Sequence, residues 1–193
     1  LWLTLFIPFL SISCIHTPAQ KFQPPSSLPQ NIIKSLKYPK NTNLVSETHI
    51  STNRTYSITE YTFQSSIDIL NTNKKPHDIT LRVYSPIGLK RKTPVVLLAP
   101  ISGGNYIVST FFGRFFAREG WTAIIIKRRK LYKELITIEK INDIIRQIVI
   151  DHKQVIDWAE KQTFWDPKLV AMLGVSQGGI KTAVVAPCEK RIK

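Results

Sequence analysis

Apolar and polar residues alternate between about Asn43 and Pro86, most clearly in Ile79-Thr80-Leu81-Arg82-Val83-Tyr84. Successive side chains of a strand point to opposite faces, so this period marks a half-buried strand. Tyr56 to Phe63 reads the same way, and the two are expected to pair antiparallel near a sheet edge. From Pro94 the character changes, because Val95-Val96-Leu97-Leu98 is apolar without a break, as in a parallel strand covered on both faces. Val108, Phe111, Phe112, Phe115 and Phe116 then recur at helical spacing, with Gly120 as the stop. Thr122 to Ile126 is a second buried strand. Ile141, Ile144, Ile145, Ile148, Val155, Ile156 and Ala159 trace one face of a long helix ending before Asp166-Pro167. A third apolar strand, Leu169 to Leu173, runs directly into Gly174-Val175-Ser176-Gln177-Gly178-Gly179. This order predicts an α/β fold, a mostly parallel sheet flanked by helices with right-handed crossovers.

Ahead of the folded part the pattern has no such periods. Leu1 to Ile12 is an apolar run too short to cross a bilayer, which takes about 20 residues, but suited to a signal-peptide core. Ser13-Cys14, with Leu10 and Ile12 close by, resembles the lipobox of bacterial lipoproteins, although Ser11 stands where that motif usually has Leu. The resemblance implies a diacylated Cys14, and two acyl chains give stable anchoring. The other readings are cleavage elsewhere with release of an exported protein, or an uncleaved anchor. Residues 15–30, rich in Pro, Ser and Gln, cannot build a core and read as an extended tether. The expected division is therefore a signal segment at 1–14, a tether at 15–30 and a folded domain at 31–193, placed at the cell envelope. Asn53-Arg54-Thr55 is a glycosylation sequon that carries little meaning in such a setting.

Charge changes the picture little. A net charge of +14 favours anionic surfaces, but the basic residues are scattered apart from Lys90-Arg91-Lys92 and Lys127-Arg128-Arg129-Lys130. No helix-turn-helix, zinc-finger or RNP-type pattern accompanies them, so nucleic acid is not an expected partner. The second run leaves the carboxyl end of a parallel strand, where such folds bind ligands. It reads first as a solvated loop and second as a contact for an anionic substrate group. Cys14 and Cys188 are too few and too far apart for a disulfide framework or a zinc site; Cys188 reads as a small core residue, and no metal or organic cofactor is expected. Trp121, Trp158 and Trp165 sit at element ends as core anchors.

The candidate chemistry lies at Gly174-Val175-Ser176-Gln177-Gly178. G-x-S-x-G alone is a weak signal, and a Gly-rich turn of another α/β protein, including a phosphate-cradling loop, is the competing reading. Neither G-x-G-x-x-G nor G-x-x-x-x-G-K-[ST] is present, however. A buried strand enters and a helix leaves, so the turn must hold Ser176 in a strained conformation that tolerates only small neighbours two residues away. The hydroxyl is then exposed above the strand ends, with the Gln177 N–H beside it as one oxyanion donor. Gly174 to Gly178 resembles the nucleophile elbow of the α/β-hydrolase family. Ala99-Pro100-Ile101-Ser102-Gly103-Gly104 resembles its His-Gly-x-Gly oxyanion loop, with Ala99-Pro100 in place of His-Gly and one residue more. The resemblance covers about Ile79 to Pro187, the family's N-terminal part. Pro100 has no N–H, so the second donor is expected at Ile101 or Ser102.

The resemblance implies a serine hydrolase that cleaves an ester, thioester or amide bond of a small-molecule, acyl or peptidyl substrate through an acyl-enzyme at Ser176. The family order is Ser, then acid, then His. After Ser176 only Glu189 is acidic and no His follows. His152 falls on the apolar stripe of the long helix and reads as a semi-buried structural residue; His16, His49 and His77 receive no role, and Asp151 and Asp157 read as solvent charges. The expectation is a fragment whose C-terminal strands are missing and which aggregates or lacks activity on its own. The alternative is a non-catalytic envelope binding protein on a hydrolase scaffold.

Overall fold

The computed structural model describes residues 28–40, 43–71, 76–103, 105–129, 137 and 139–193, with backbone only at 165 and 167. The signal-like segment with Cys14, most of the tether, Gly104 and Lys130 lie outside the described residues.

Short connections force antiparallel pairing, and the first hairpin obeys this. A short helix, α1 (Gln30–Ser35), precedes β1 (Asn43–Thr52), β2 (Tyr56–Gln64) and β3 (Asp78–Pro86). Asn53 closes the first hairpin, its Oδ1 accepting from the N–H groups of Thr55 (2.8 Å) and Tyr56 (3.0 Å). β2 and β3 pair antiparallel from Tyr56↔Pro86 to Gln64↔Asp78, as their alternation predicts. β4 (Thr93–Ala99), β5 (Thr122–Ile126) and β6 (Trp165–Gly174) are separated by helices and pair parallel. The sheet order is β1-β2-β3-β5-β4-β6, and β3 meets β5 antiparallel. Three strand pairings are thus antiparallel and two parallel, so the sheet is mixed rather than mostly parallel. β5 is buried throughout and β4 at every residue but Pro94, as their apolar runs require. β6 departs from expectation: among the described residues, apart from one bridge to Ile192, it pairs only with β4, and Leu169 is 49% exposed beside a buried Val170.

Each face of the sheet carries a helix. On one side α2 (Ile107–Arg118) covers Tyr84, Val96, Leu98 and Ile125. Its buried residues are Ser109, Gly113 and Ala117, not the predicted phenylalanine stripe: Phe111 and Phe115 are 63% and 48% exposed. A Cβ on Gly113 would lie 2.8 Å from the Tyr84 ring, so the helix seats itself on the strands through small residues one turn apart, with Phe112 and Phe116 packed alongside. On the other side α3 (Ile141–Ala159) lays Val155, Ile156, Trp158 and Ala159 on Phe63, Leu81, Leu97 and Ile124. Burial of these residues supplies most of the driving force for the layer.

Helix α3 is also buried on a polar stripe. Gln154 accepts from Ser66 N–H (2.6 Å), and Gln147 accepts from Ile69 N–H (2.8 Å) while donating to Ile67 O and Asp151, fixing the connection after β2. Asp151 and Asp157 are buried rather than solvent charges. Asp151 faces His77 Nε2 at 3.2 Å; Asp157 accepts from Tyr38 Oη and Arg191 Nη1, both at 2.7 Å. A buried carboxylate must be paired, and here the partners arrive from segments remote in sequence. α4 (Gln177–Val185) and a 3-10 turn (Ala186–Cys188) complete the described fold, with Cys188 against the cluster of Leu36, Val149, Ile150 and Val185. Among the described residues no helix is long and apolar enough to cross a membrane.

His152 is buried on α3, with Nδ1 donating to Ile148 O at 2.7 Å. Desolvation pushes the imidazole down to about pKa 4, with Lys181 adding to the effect. Folded pKa below unfolded pKa means that the unfolded chain takes up the proton first. Its titration therefore costs nothing well above pH 6.5 and progressively destabilises the fold as pH falls toward 4. The loss is about 3 kcal/mol at most. Urea unfolding midpoints measured from pH 7 to pH 5 should fall for the wild type and flatten for His152→Leu; parallel profiles would exclude His152 as the cause.

Candidate active site

β4 and β6 are parallel neighbours, and Ala99 is paired with Gly174 at their ends. The connection after β4 and the turn after β6 therefore leave the sheet side by side. Only Val175 and Ser176 separate β6 from α4, so the chain must reverse within two residues. Ser176 does this at φ 55°, ψ −124°, the one positive φ outside glycine among the described residues. Such a conformation costs about 1–3 kcal/mol and persists only where its surroundings over-determine it. Three hydrogen bonds hold the bend: Gly178 N–H to Val175 O (2.9 Å), Gly179 N–H to Ser176 O (2.8 Å) and Ile180 N–H to Ser176 O (3.2 Å).

The glycines are dictated by backbone contact. A Cβ on Gly174 would lie 2.1 Å from Gly178 O, and one on Gly178 would lie 2.1 Å from Ala99 O. Gly179 is different, its nearest neighbour being Gly174 O at 3.4 Å. Ser176 and Gln177 are both exposed. Gln177 opens α4, and its N–H, the one in that first turn without a backbone acceptor among the described residues, favours negative charge.

The segment after β4 is held from the side. Arg128, just past the end of β5, donates through Nη1 to Ile101 O (2.6 Å) and to Gly103 O, and its guanidinium stacks 4.6 Å from the Tyr106 ring centroid. Its backbone N–H donates to Tyr106 Oη at 3.0 Å. The loop carbonyls are thus committed to Arg128. No backbone acceptor among the described residues takes the N–H of Gln177, Ile101 or Ser102. Nothing local to the basic run marks Arg128 as a positioning residue. The available signal was a cation leaving one parallel strand beside a Gly-rich loop leaving its neighbour. Lys127 and Arg129 are not simply solvated either: Lys127 Nζ pairs with Glu60 at 2.6 Å, and Arg129 donates to Asp68 at 3.0 Å. These cations hold the Glu60 and Asp68 carboxyls below their ordinary range, against the upward push of desolvation.

No general base joins Ser176 among the described residues, where its side chain makes no capping hydrogen bond and has no partner. His152 is bound to its own helix, and His49 lies on the exposed edge strand beside Thr52. His77 bridges Ser65 Oγ (3.0 Å) and Asp151 (3.2 Å), but Ser65 is buried and also accepts the His77 N–H, so that trio is a structural clasp. Glu189 is buried in a two-point pair with Arg191 at 2.9 and 2.7 Å. Among the described residues no group of His, Cys, Asp or Glu is arranged to hold a metal ion.

No protein-family model and no curated protein matches the chain. Solved structures do. Acetyl xylan esterase 1 from Thermoanaerobacterium sp. superposes with a TM-score of 0.62 at 15% identity, over 88% of this chain and 58% of that one. A ferulic acid esterase from Streptomyces cinnamoneus gives 0.59 at 14% identity, over 74% and 58%. A glucuronoyl esterase from Teredinibacter turnerae gives 0.56 at 15% identity, over 84% and 48%. The mixed six-stranded sheet with its flanking helices is an α/β-hydrolase-like fold, and the chain spans about half the length of these neighbours.

The strain at Ser176 is measurable. Ser176→Gly should raise stability by about 1 kcal/mol, because glycine adopts positive φ without penalty. Gly178→Ala should lower it by about 3 kcal/mol or more, because backbone cannot yield to a 2.1 Å contact. Thermal or urea midpoints of the two variants check this, and a stable Gly178→Ala protein would contradict the packing described.

Proposed function

We propose that this chain supplies the nucleophile half of a serine hydrolase, with Ser176 forming an acyl-enzyme on a carboxylic ester. The observation that carries the reading is the exposed Ser176 in a positive-φ bend, backed by two glycines for which no side chain has room. A residue kept in a costly conformation at the mouth of a sheet is a functional residue before it is a structural one.

In the reaction proposed, Ser176 Oγ attacks the substrate carbonyl carbon and gives its proton to a histidine base. The electron pair displaced onto the carbonyl oxygen is stabilised by the N–H of Gln177 and by that of Ile101 or Ser102. Collapse expels the alcohol, which takes the proton back, and leaves the acyl group on Ser176; water then repeats the sequence to release the acid. Arg128 contributes by holding the carbonyls of Ile101 and Gly103, so the loop need not reorganise as charge develops. The base and its acid belong to the proposal and not to the described residues. The neighbours' names, an acetyl xylan, a ferulic acid and a glucuronoyl esterase, favour an ester over a thioester or amide. Delivery to the cell envelope through the Leu1–Ile12 segment, with Cys14 as lipid attachment site, is part of the same proposal.

Fluorophosphonate labelling of the full-length protein tests it. The wild type should be labelled and should hydrolyse p-nitrophenyl acetate, while Ser176→Ala should lose both, with activity falling about 10³-fold or more. Equal labelling of the two proteins would remove Ser176 from the mechanism and leave a binding role for the scaffold.

A further inference from the structure

A cavity of about 390 Å³ opens between the end of β5, helix α3 and helix α4. Its wall carries Lys127, Arg128 and Arg129 after β5, His152 on α3 and Lys181 on α4. Three carboxylates, Glu60, Asp78 and Asp151, also line it. Most of this charge is already matched. Glu60 holds Lys127 and Arg82, Asp151 holds Gln147 and His77, Arg129 is on Asp68, and Arg128 is on the loop carbonyls. Asp78 is exposed.

Two groups are left over. Lys181 is half-buried and forms no ion pair among the described residues; burial and the nearby Arg128 both press its ammonium toward losing its proton. His152 is 95% buried by its 5% exposure, and its Nε2 has no hydrogen-bond partner among the described residues. Because Nδ1 donates to a carbonyl, Nε2 carries the lone pair and needs a donor. A buried acceptor without a donor costs about 1–3 kcal/mol. Lys181 needs an anion. Water can hydrogen-bond to both groups but brings the ammonium no counter-charge, and a simple halide brings the charge but donates nothing to the imidazole. One ligand answers both if it carries a carboxylate and a hydroxyl, and the cavity has the size of small-molecule sites, which start at roughly 300 Å³.

We propose that this cavity binds a small polyhydroxylated carboxylate, its carboxylate on Lys181 and a hydroxyl donating to His152 Nε2. Arg128 borders both this cavity and the loop after β4, but the two proposed binding groups, Lys181 and His152, lie outside the proposed hydrolase machinery, so Ser176→Ala should bind as the wild type does.

Gluconate and hexanoate are suitable probes, since both are six-carbon acids and differ in their hydroxyls. In calorimetric titrations of the intact protein at pH 7, gluconate should bind saturably and about tenfold or more tightly than hexanoate. Lys181→Met should abolish gluconate binding, and His152→Leu should reduce it to the hexanoate level. In the wild type, without any substitution, the ¹⁵N resonance of His152 Nε2 should move with gluconate and not with hexanoate. Absence of saturable gluconate binding, equal binding of hexanoate, an unmoved Nε2 resonance, or unchanged binding by Lys181→Met would each overturn the proposal.

Discussion

Three backbone segments touch where β4, β6 and α4 meet, and the rest of the site depends on that contact. Gly178 lies against the carbonyl of Ala99 and against the position a Gly174 side chain would fill, at separations that admit only hydrogen. This brings the start of α4 hard against the end of β4, and the chain between β6 and α4 has no room for an ordinary turn. Ser176 absorbs the deficit by taking a positive φ. The strain is therefore a consequence of close packing between flanking elements, and the same packing presents the hydroxyl beside the N–H of Gln177, which has no backbone acceptor among the described residues.

Around this bend, cations act as struts more than as binding groups. Arg128 ties the loop after β4 to the end of β5, Lys127 and Arg129 tie that strand end to β2 and to the connection following it, and Arg191 joins Glu189 and Asp157 across α3. A strongly basic composition thus conceals a set of specific pairs. Lys181 stands apart as a half-buried ammonium without a carboxylate among the described residues, which is why the cavity beside it invites an anion.

Much of this was legible in the sequence wherever the signal is local. The alternation in β2 and β3, the unbroken apolar runs of β4 and β5, the extent of α3 and the G-x-S-x-G turn each depend on residues adjacent in the chain, and each lies where the pattern puts it. Elsewhere the determinant is non-local. The seating of α2 on Ser109, Gly113 and Ala117 is invisible to a hydrophobic pattern that weighs large side chains, because it is the absence of bulk at Gly113 that admits Tyr84. Asp151 and Asp157 read as solvent charges because their partners, His77, Tyr38 and Arg191, come from distant segments. The strand leading into the elbow reads as buried on composition, yet with β4 as its one strand neighbour among the described residues Leu169 is left half exposed. In the candidate site the tight bend at Ser176 was readable, whereas Arg128 required knowing that β5 and β4 are neighbours.

The central claim concerns the conformation of one serine and the donors beside it. A crystal structure of the full-length protein after reaction with a fluorophosphonate tests it most directly. The account predicts phosphorus on Ser176 Oγ, a positive φ retained at that residue, and one phosphoryl oxygen about 2.7–3.1 Å from Gln177 N and from the N of Ile101 or Ser102. A Ser176 found in ordinary strand or helical backbone with its side chain packed inward, or an adduct on a different residue, would contradict it.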